Sequence, residues 1–296
     1  MREWTPWKTL DILQPFSEQS LSETLNGGQA FRWNYSKKDE YWLGVWGQNV
    51  ARLRLTEKDC IQFSHPIDHL GCETELARYL RAKFDWDLAI NNLPWRSDPH
   101  LEAAISAFTG LRILKQPFGE AVLCFLCSAT KQIPQIKVMC ERMALRFGNE
   151  LTAGIHALPT WNQLATASET ELRELGLGFR AKNIKKTADI LAQHPELLDQ
   201  IEASPYAEAK QRLVELPGVG EKIADCALLF GAAKLEAFPV DTWIIKVLEN
   251  RYDLQAWTPS QLAQFGRIHY GAYAGFAQQF VFSYERATAV TQRSKK

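Results

Sequence analysis

Two short runs of this chain hold the residue types needed for covalent chemistry beside an anion site. Leu216-Pro217-Gly218-Val219-Gly220-Glu221-Lys222 reads as a glycine hairpin with a lysine just inside the helix that follows. Ala237-Phe238-Pro239-Val240-Asp241 places an aspartate nineteen positions after that lysine. Gly218 and Gly220 can take positive φ and let a bulky partner approach the backbone. Free N–H groups at a helix start form an anion site, and a DNA phosphate suits it. The dipole at the same helix start disfavours an ammonium, which moves Lys222 toward the amine that attacks carbon. Pro239 suits a helix start, and Asp241 is expected in the first turn of that helix. Cleaving a base from its sugar needs a carboxylate beside the cationic sugar and a nucleophile for the anomeric carbon. An amine nucleophile would leave a Schiff base, from which the 3′ phosphate can be eliminated. Taken singly, Lys222 reads as well as a phosphate-binding surface lysine, and Asp241 as a helix cap.

The elements around these runs divide the chain in two. Phe31-Arg32-Trp33, residues 41–46, residues 51–55 and residues 61–63 alternate or are rich in aromatics, with polar turns between them, so the first third reads as strands. Leu76, Leu80 and Phe84 recur at helical spacing within 73–84. Residues 91–99 are turn-rich and read as a connection between domains. Beyond them the pattern is helical. Pro134 suits a first turn, and Ile136, Met139, Cys140, Met143 and Phe147 mark one apolar face closed by Gly148. Further helices are expected near 170–176, 180–193, 208–215, 221–231, 240–251, 259–269 and 276–287. The fold class is therefore α+β, an antiparallel sheet domain packed on an all-helical domain.

The 296 residues suffice for two domains and a sizeable core. With 46% hydrophobic and 23% charged residues the composition is that of a globular protein. No apolar run approaches a membrane span and the first residues lack the core of a secretion signal, so an intracellular protein is expected. The six cysteines form no disulfide framework. Cys124 and Cys127 lie inside an apolar run and read as buried small hydrophobes on a helix. A formal net charge of zero argues mildly against nucleic-acid binding, although binding follows the local distribution, as in Arg180, Lys182, Lys185 and Lys186.

The hairpin, Lys222 and the Pro239-Val240-Asp241 run together resemble the helix-hairpin-helix, Gly/Pro-Asp superfamily of DNA glycosylases, and within it the 8-oxoguanine DNA glycosylase/AP lyases. Gly28-Gln29-Ala30-Phe31-Arg32-Trp33, Leu175-Gly176-Leu177-Gly178-Phe179-Arg180 and Gly271-Ala272-Tyr273-Ala274-Gly275-Phe276-Ala277-Gln278 match further runs, in the family's order. The resemblance implies a TATA-binding-protein-like sheet domain over residues 1–98, a helix-hairpin-helix domain over 99–290 and a basic tail over 291–296. It implies a monomer acting on double-stranded DNA that contains oxidised guanine, with no metal and no organic cofactor.

It also assigns roles. Lys222 would be the nucleophile and Asp241 the carboxylate. Gly28 would aim its carbonyl at N7, which becomes an N–H donor on oxidation. Gln278 would read the pairing edge, while Cys226 and Phe282 would sandwich the flipped base. Gly218, Val219 and Gly220 would hold the DNA backbone. Arg180 matches one of two arginines that read the orphaned cytosine. The second falls at Gln135, and Thr130 stands where the family has a gap-filling asparagine. Trp243 replaces a usual polar residue two positions after Asp241. A shallower preference for cytosine opposite the lesion is therefore expected. Two other readings are an alkylated-purine glycosylase, which uses the aspartate without the lysine, and a non-catalytic hairpin module that binds DNA.

Overall fold

The computed structural model describes residues 3–57 and 59–294. The first layer holds β1 (Lys8–Thr9), α1 (Glu18–Asn26), β2 (Trp33–Ser36), β3 (Tyr41–Trp46), β4 (Asn49–Leu55), β5 (Ile61–Ser64) and α2 (Cys72–Tyr79). The second holds α3 (Trp86–Asn91), α4 (Pro99–Ala107), α5 (Phe118–Leu126) and α6 (Ile133–Phe147), then a hairpin of β6 (Glu150–Thr152) and β7 (Ile155–His156). It continues through α7 (Trp161–Thr166), α8 (Glu169–Leu172), α9 (Arg180–Gln193), α10 (Leu197–Ala203), α11 (Tyr206–Val214), α12 (Glu221–Phe230), α13 (Thr242–Arg251), α14 (Pro259–Tyr270) and α15 (Ala274–Ser294). No helix among the described residues is long and apolar enough to cross a membrane.

The sheet is antiparallel throughout, in the order β1-β5-β4-β3-β2. Strand alternation sends Trp33, Trp42, Trp46, Leu53, Ile61 and Phe63 into a core shared with Leu21 and Leu25 of α1 and Leu76 and Tyr79 of α2. Trp33 stacks on Trp46 with ring centroids 5.7 Å apart, and its Nε1 donates to the Tyr79 hydroxyl at 3.0 Å. A buried indole needs such a partner for its N–H.

Helix α1 was not expected inside a strand-rich region. It holds only two large apolar residues, and its start is marked by Ser17, whose hydroxyl accepts from Ser20 N at 3.1 Å. β1, the β6–β7 hairpin, α3, α4, α7 and α10 also went unforeseen, being too short for a period to register. The strand expected at 31–33 begins at Trp33 instead, because Phe31 and Arg32 turn toward the helical layer. The helix expected to reach Phe84 stops at Tyr79, and Arg81 beyond it has φ +49°. The turn-rich stretch 91–99 ends in Asp98, whose Oδ1 caps α4 and whose Oδ2 accepts from Tyr252 and His269. The helix expected at 170–176 splits into α8 and a wider turn over Arg173–Leu177, because Gly176 has φ +87°. Helix α15 runs on into the expected basic tail as far as Ser294; Lys295 and Lys296 lie outside the described residues.

Two helices of the second layer are apolar nearly all round and fill its centre. Seven of the nine residues of α5 and eight of the ten of α12 are buried. The cores of the two layers interleave in sequence: Trp86, Ala89 and Leu93 already pack with the helices, while Leu114 returns to the sheet. Cys124 and Cys127 are buried as expected, with Cys124 Sγ 3.7 Å from Cys140 Sγ.

The β3–β4 turn docks on the first turn of α5, where Gly47 N donates to Glu120 Oε1 at 2.9 Å. Burial pushes the Glu120 carboxyl up to about 7, against the lowering pull of Arg32 and of the Gly47 bond. A carboxyl whose folded value is raised adds stability that is complete below its ordinary value of about 4.5 and is lost as pH rises through about 7. Glu120→Gln keeps an acceptor for Gly47 and removes the ionisation. We expect this variant to be more stable than wild type by about 1–3 kcal/mol at pH 8. The gap should close as pH falls toward 4.5. Urea unfolding at the two pH values measures it, and a gap that does not change with pH would remove Glu120 from this role.

Candidate active site

The expected hairpin joins α11 to α12. Gly218 has φ +84°, and a Cβ there would lie 2.7 Å from the Asn183 side chain, so the turn admits only glycine. Thr187 Oγ1 of α9 holds the Pro217 carbonyl at 3.1 Å. No side chain caps the start of α12, and Gly220 there is exposed with nothing within 4 Å of a would-be Cβ. An open helix N-terminus of this kind is ready for an anion. Val219 instead turns its side chain into the core, at 6% exposure, and offers only its backbone.

Because the rest of α12 is buried, only its first turn reaches the surface, and it carries Lys222 there. Lys222 Nζ lies 3.3 Å from Ser128 Oγ and 5.6 Å from the centre of the Phe125 ring. Asp241 is the N-cap of α13 rather than a residue of its first turn. Its Oδ1 accepts from Trp243 N at 3.0 Å and Ile244 N at 2.9 Å. Pro239 accordingly lies before the helix. Oδ2 makes no hydrogen bond among those described, so the cap leaves one carboxylate oxygen free. Lys222 and Asp241 form no ion pair among the described residues.

Both side chains line a narrow cavity of about 60 Å³. Gly28, Cys226, Gln278 and Phe282 line it too, so the six residues expected to act on the sugar or hold the base share one pocket. They come from four regions of the chain. Gly28 follows α1 with φ +106°, and a Cβ there would stand 3.1 Å from Ile133 Cδ1. Cys226 lies one turn after Lys222, and burial pushes its thiol up to about 11 against the lowering effect of the lysine. Gln278 and Phe282 sit one turn apart on α15. Gln278 is 5% exposed, yet its Oε1 has no hydrogen-bond partner. A buried amide oxygen without a partner costs about 1–3 kcal/mol, and Gln278 is one of the residues that line the cavity.

The cavity opens onto a groove bordered by Thr130, Gly218, Gly220 and Trp243. Arg180 and Gln135 do not reach it. The Arg180 guanidinium is buried, donating to the carbonyls of Leu177 and Ala129 and to Thr130 Oγ1 at 2.9 Å. Gln135 Oε1 accepts from Gln132 N at 3.1 Å and so closes the start of α6. Sequence reasoning gave no role to Ser128 or Phe125; neither has a local signal, since each meets Lys222 across more than ninety positions. It also passed over Phe179, 58% exposed with the Arg180 guanidinium 4.3 Å from its ring centre. A larger cleft between α1 and the sheet holds Glu18, Glu40, Glu57 and Asp59, charges that repel a polyanion.

The glycine hairpin thus opens beside a pocket that holds Lys222 and Asp241, with Gly28 of the segment between α1 and the sheet in its lining. Residues 12–122 match the model of the 8-oxoguanine DNA glycosylase N-terminal domain, and residues 123–267 that of the HhH-GPD superfamily of base excision DNA repair proteins. N-glycosylase/DNA lyase OGG1 of Arabidopsis thaliana is 30% identical over 302 residues, covering 95% of this chain and 81% of the relative. The crystal structure of Clostridium acetobutylicum 8-oxoguanine glycosylase/lyase with double-stranded DNA containing cytosine opposite 8-oxoG superposes with a TM-score of 0.86. That likeness holds at 27% identity over 98% of this chain and 100% of the other. A 3-methyladenine DNA-glycosylase from Archaeoglobus fulgidus, at 16% identity and TM-score 0.74 over 94% of this chain, shares the fold alone. The chain belongs to the 8-oxoguanine N-glycosylase/DNA lyase family.

Thr130 lies in the left-handed region at φ +56°. A β-branched residue pays about 1–2 kcal/mol for that conformation, whereas asparagine visits it readily. Thr130→Asn should therefore raise stability by about 1 kcal/mol in urea unfolding, with its Oδ1 accepting from Arg180 in place of Oγ1. A loss of stability would show that the Thr130 methyl packs more favourably than its backbone strains.

Proposed function

We propose that this chain excises 8-oxoguanine from double-stranded DNA and then nicks the strand, with Lys222 as nucleophile and Asp241 as the stabilising carboxylate. The observation that carries this reading is one cavity holding a lysine amine, a carboxylate with a free oxygen, and an unpartnered amide acceptor. Lys222 also separates it from an alkylated-purine glycosylase built on the same fold.

In this reading the base leaves the stack and enters the cavity, since chemistry at the sugar cannot proceed inside the duplex. Gly28 accepts from N7–H, a donor that normal guanine lacks. Gln278 Oε1 accepts from the pairing edge, whose N–H groups satisfy the unpartnered atom. Cys226 and Phe282 hold the two faces of the base; a buried thiol held neutral is an apolar surface suited to that contact. As the C1′–N9 bond breaks, Asp241 Oδ2 stabilises the positive charge on the sugar. Lys222 Nζ bonds to C1′ and its proton goes to the departing base. Ring opening gives the Schiff base, and loss of a C2′ proton breaks the C3′–O bond to the 3′ phosphate. The open start of α12 holds a backbone phosphate through Gly218, Val219 and Gly220. Phe179 is an apolar side chain of the kind that enters a base step. Thr130, Gln135 and Arg180 give weak reading of the opposite base, since the one arginine is engaged by the protein itself. The chain acts as a monomer inside the cell.

Lys222→Gln should abolish strand nicking and borohydride cross-linking to lesion DNA while lesion binding stays within a few-fold of wild type. A variant that still cross-links would move the nucleophile elsewhere. Asp241→Asn preserves the helix cap, because asparagine caps as well as aspartate. Stability should therefore hold while single-turnover base release slows by about 100-fold. Release at the wild-type rate would reduce Asp241 to a cap.

A further inference from the structure

We infer that Arg286 is a positioning residue for lesion selectivity, locking the Gly27–Gly28 peptide from the far end of the chain. This rests on the reading above, in which the Gly28 carbonyl recognises the base. Arg286 stands one turn beyond Phe282 on α15, so Gln278, Phe282 and Arg286 form one stripe. Its guanidinium spans two partners. Nη1 donates to the Gly27 carbonyl at 2.9 Å, and Nη2 reaches Glu23 Oε1 and Oε2 at 2.9 and 2.7 Å. Glu23 lies in the last turn of α1 and is also tied to Gly27, whose N–H donates to the Glu23 carbonyl at 2.7 Å.

The consequence follows from peptide planarity. The Gly27 carbonyl and the Gly28 N–H belong to one rigid unit, so a bond to that oxygen fixes the plane from which Gly28 departs. Gly28 itself has φ +106°, a region with little steric preference of its own. Two consecutive glycines are the loosest backbone a chain can offer, yet a single carbonyl can tell N–H from a lone pair only if it is held in place. Arg286 supplies the restraint that the glycines lack. Gly27 has its own reason to be glycine: a Cβ there would stand 2.2 Å from the Glu23 carbonyl oxygen and 2.4 Å from Glu23 Oε1, the carboxylate that meets Arg286. The arginine also lies over the Phe282 ring, 5.4 Å from its centre, which couples the stacking wall to the same clamp. Both partners are largely shielded, at 24% and 12% side-chain exposure, so the pair is less screened than a surface bridge. A lysine could not replace it, because one ammonium lacks the planar fork that serves carbonyl and carboxylate together.

The test compares two substrates. Single-turnover excision of 8-oxoguanine opposite cytosine needs the base seated, whereas cleavage at a preformed abasic site needs Lys222 but has no base to seat. Arg286→Met and Arg286→Lys should each slow excision by about 10–100-fold, the scale of a sub-ångström to one-ångström misplacement. Cleavage at the abasic site should stay within about 2-fold of wild type, which also reports that the variants are folded. Glu23→Gln keeps the Gly27 bond and should fall between. Excision at the wild-type rate in Arg286→Lys would overturn the clamp, because charge alone would then suffice. Equal losses on both substrates would overturn it as well, pointing to a phosphate contact or to general destabilisation. A wild-type chain that releases no 8-oxoguanine would sink the underlying reading along with the clamp, whereas the first two results leave that reading standing.

Discussion

The arrangement depends on one buried glutamine. Gln29 is fully buried, and its side chain donates to the Arg112 carbonyl at 2.8 Å and accepts from Leu114 N at 3.0 Å. Its own carbonyl takes the Gln116 side chain at 2.7 Å. A buried amide must find such partners or cost the fold a few kcal/mol. Satisfying them ties the segment that leaves α1 to the strand-like stretch leading into α5. The neighbours of Gln29 then divide between the layers. Phe31 packs edge-on against Phe125 at 5.5 Å, Arg32 donates to the carbonyls of Cys140 and His156, and Trp33 enters the sheet core. A six-residue run thus serves as the seam between sheet and helices, and Gly28 stands at its open end.

From that seam the pocket follows by exclusion. Helices α5 and α12 are too apolar to face water, so they occupy the centre and present only their ends. The end of α12 carries Lys222, and the end of α5 leads to Ser128 beside it. The floor is apolar, from Phe125 and Phe230, while the polar groups stand at the walls. Zero net charge does not conflict with DNA binding here. The hairpin offers backbone dipoles, and the acidic residues gather at a separate cleft over the sheet.

The departures from the family pattern have structural accounts. Thr130 keeps the left-handed backbone that suits asparagine, and Arg180 braces it from behind through its hydroxyl and the Ala129 carbonyl. Gln135 serves its own helix. Thr130, Arg180 and Gln135 are thus engaged by internal hydrogen bonds, whereas Gln278 in the cavity lining keeps an unpartnered acceptor.

Some of this was legible in the sequence because it is local. Glycines at a tight turn, a lysine one step into a helix, an aspartate near the start of the next helix and an i, i+4 pair on the last helix are fixed by backbone geometry over a few residues. The strand pattern of the first layer and the long helices of the second follow from side-chain periods of two and 3.6. Short elements such as α1 and α3 escaped, having too few residues to show a period, and Asp241 proved a cap because one residue separates a cap from a first turn. What only the tertiary structure decided is which distant residues meet. Ser128 beside Lys222, Arg286 on Gly27 and Glu23, and Arg180 turned inward onto Thr130 join positions 50 to 263 apart. No local preference encodes those contacts; they arise when two apolar helices and a tryptophan-lined sheet bury themselves and leave one place for the polar ends to converge.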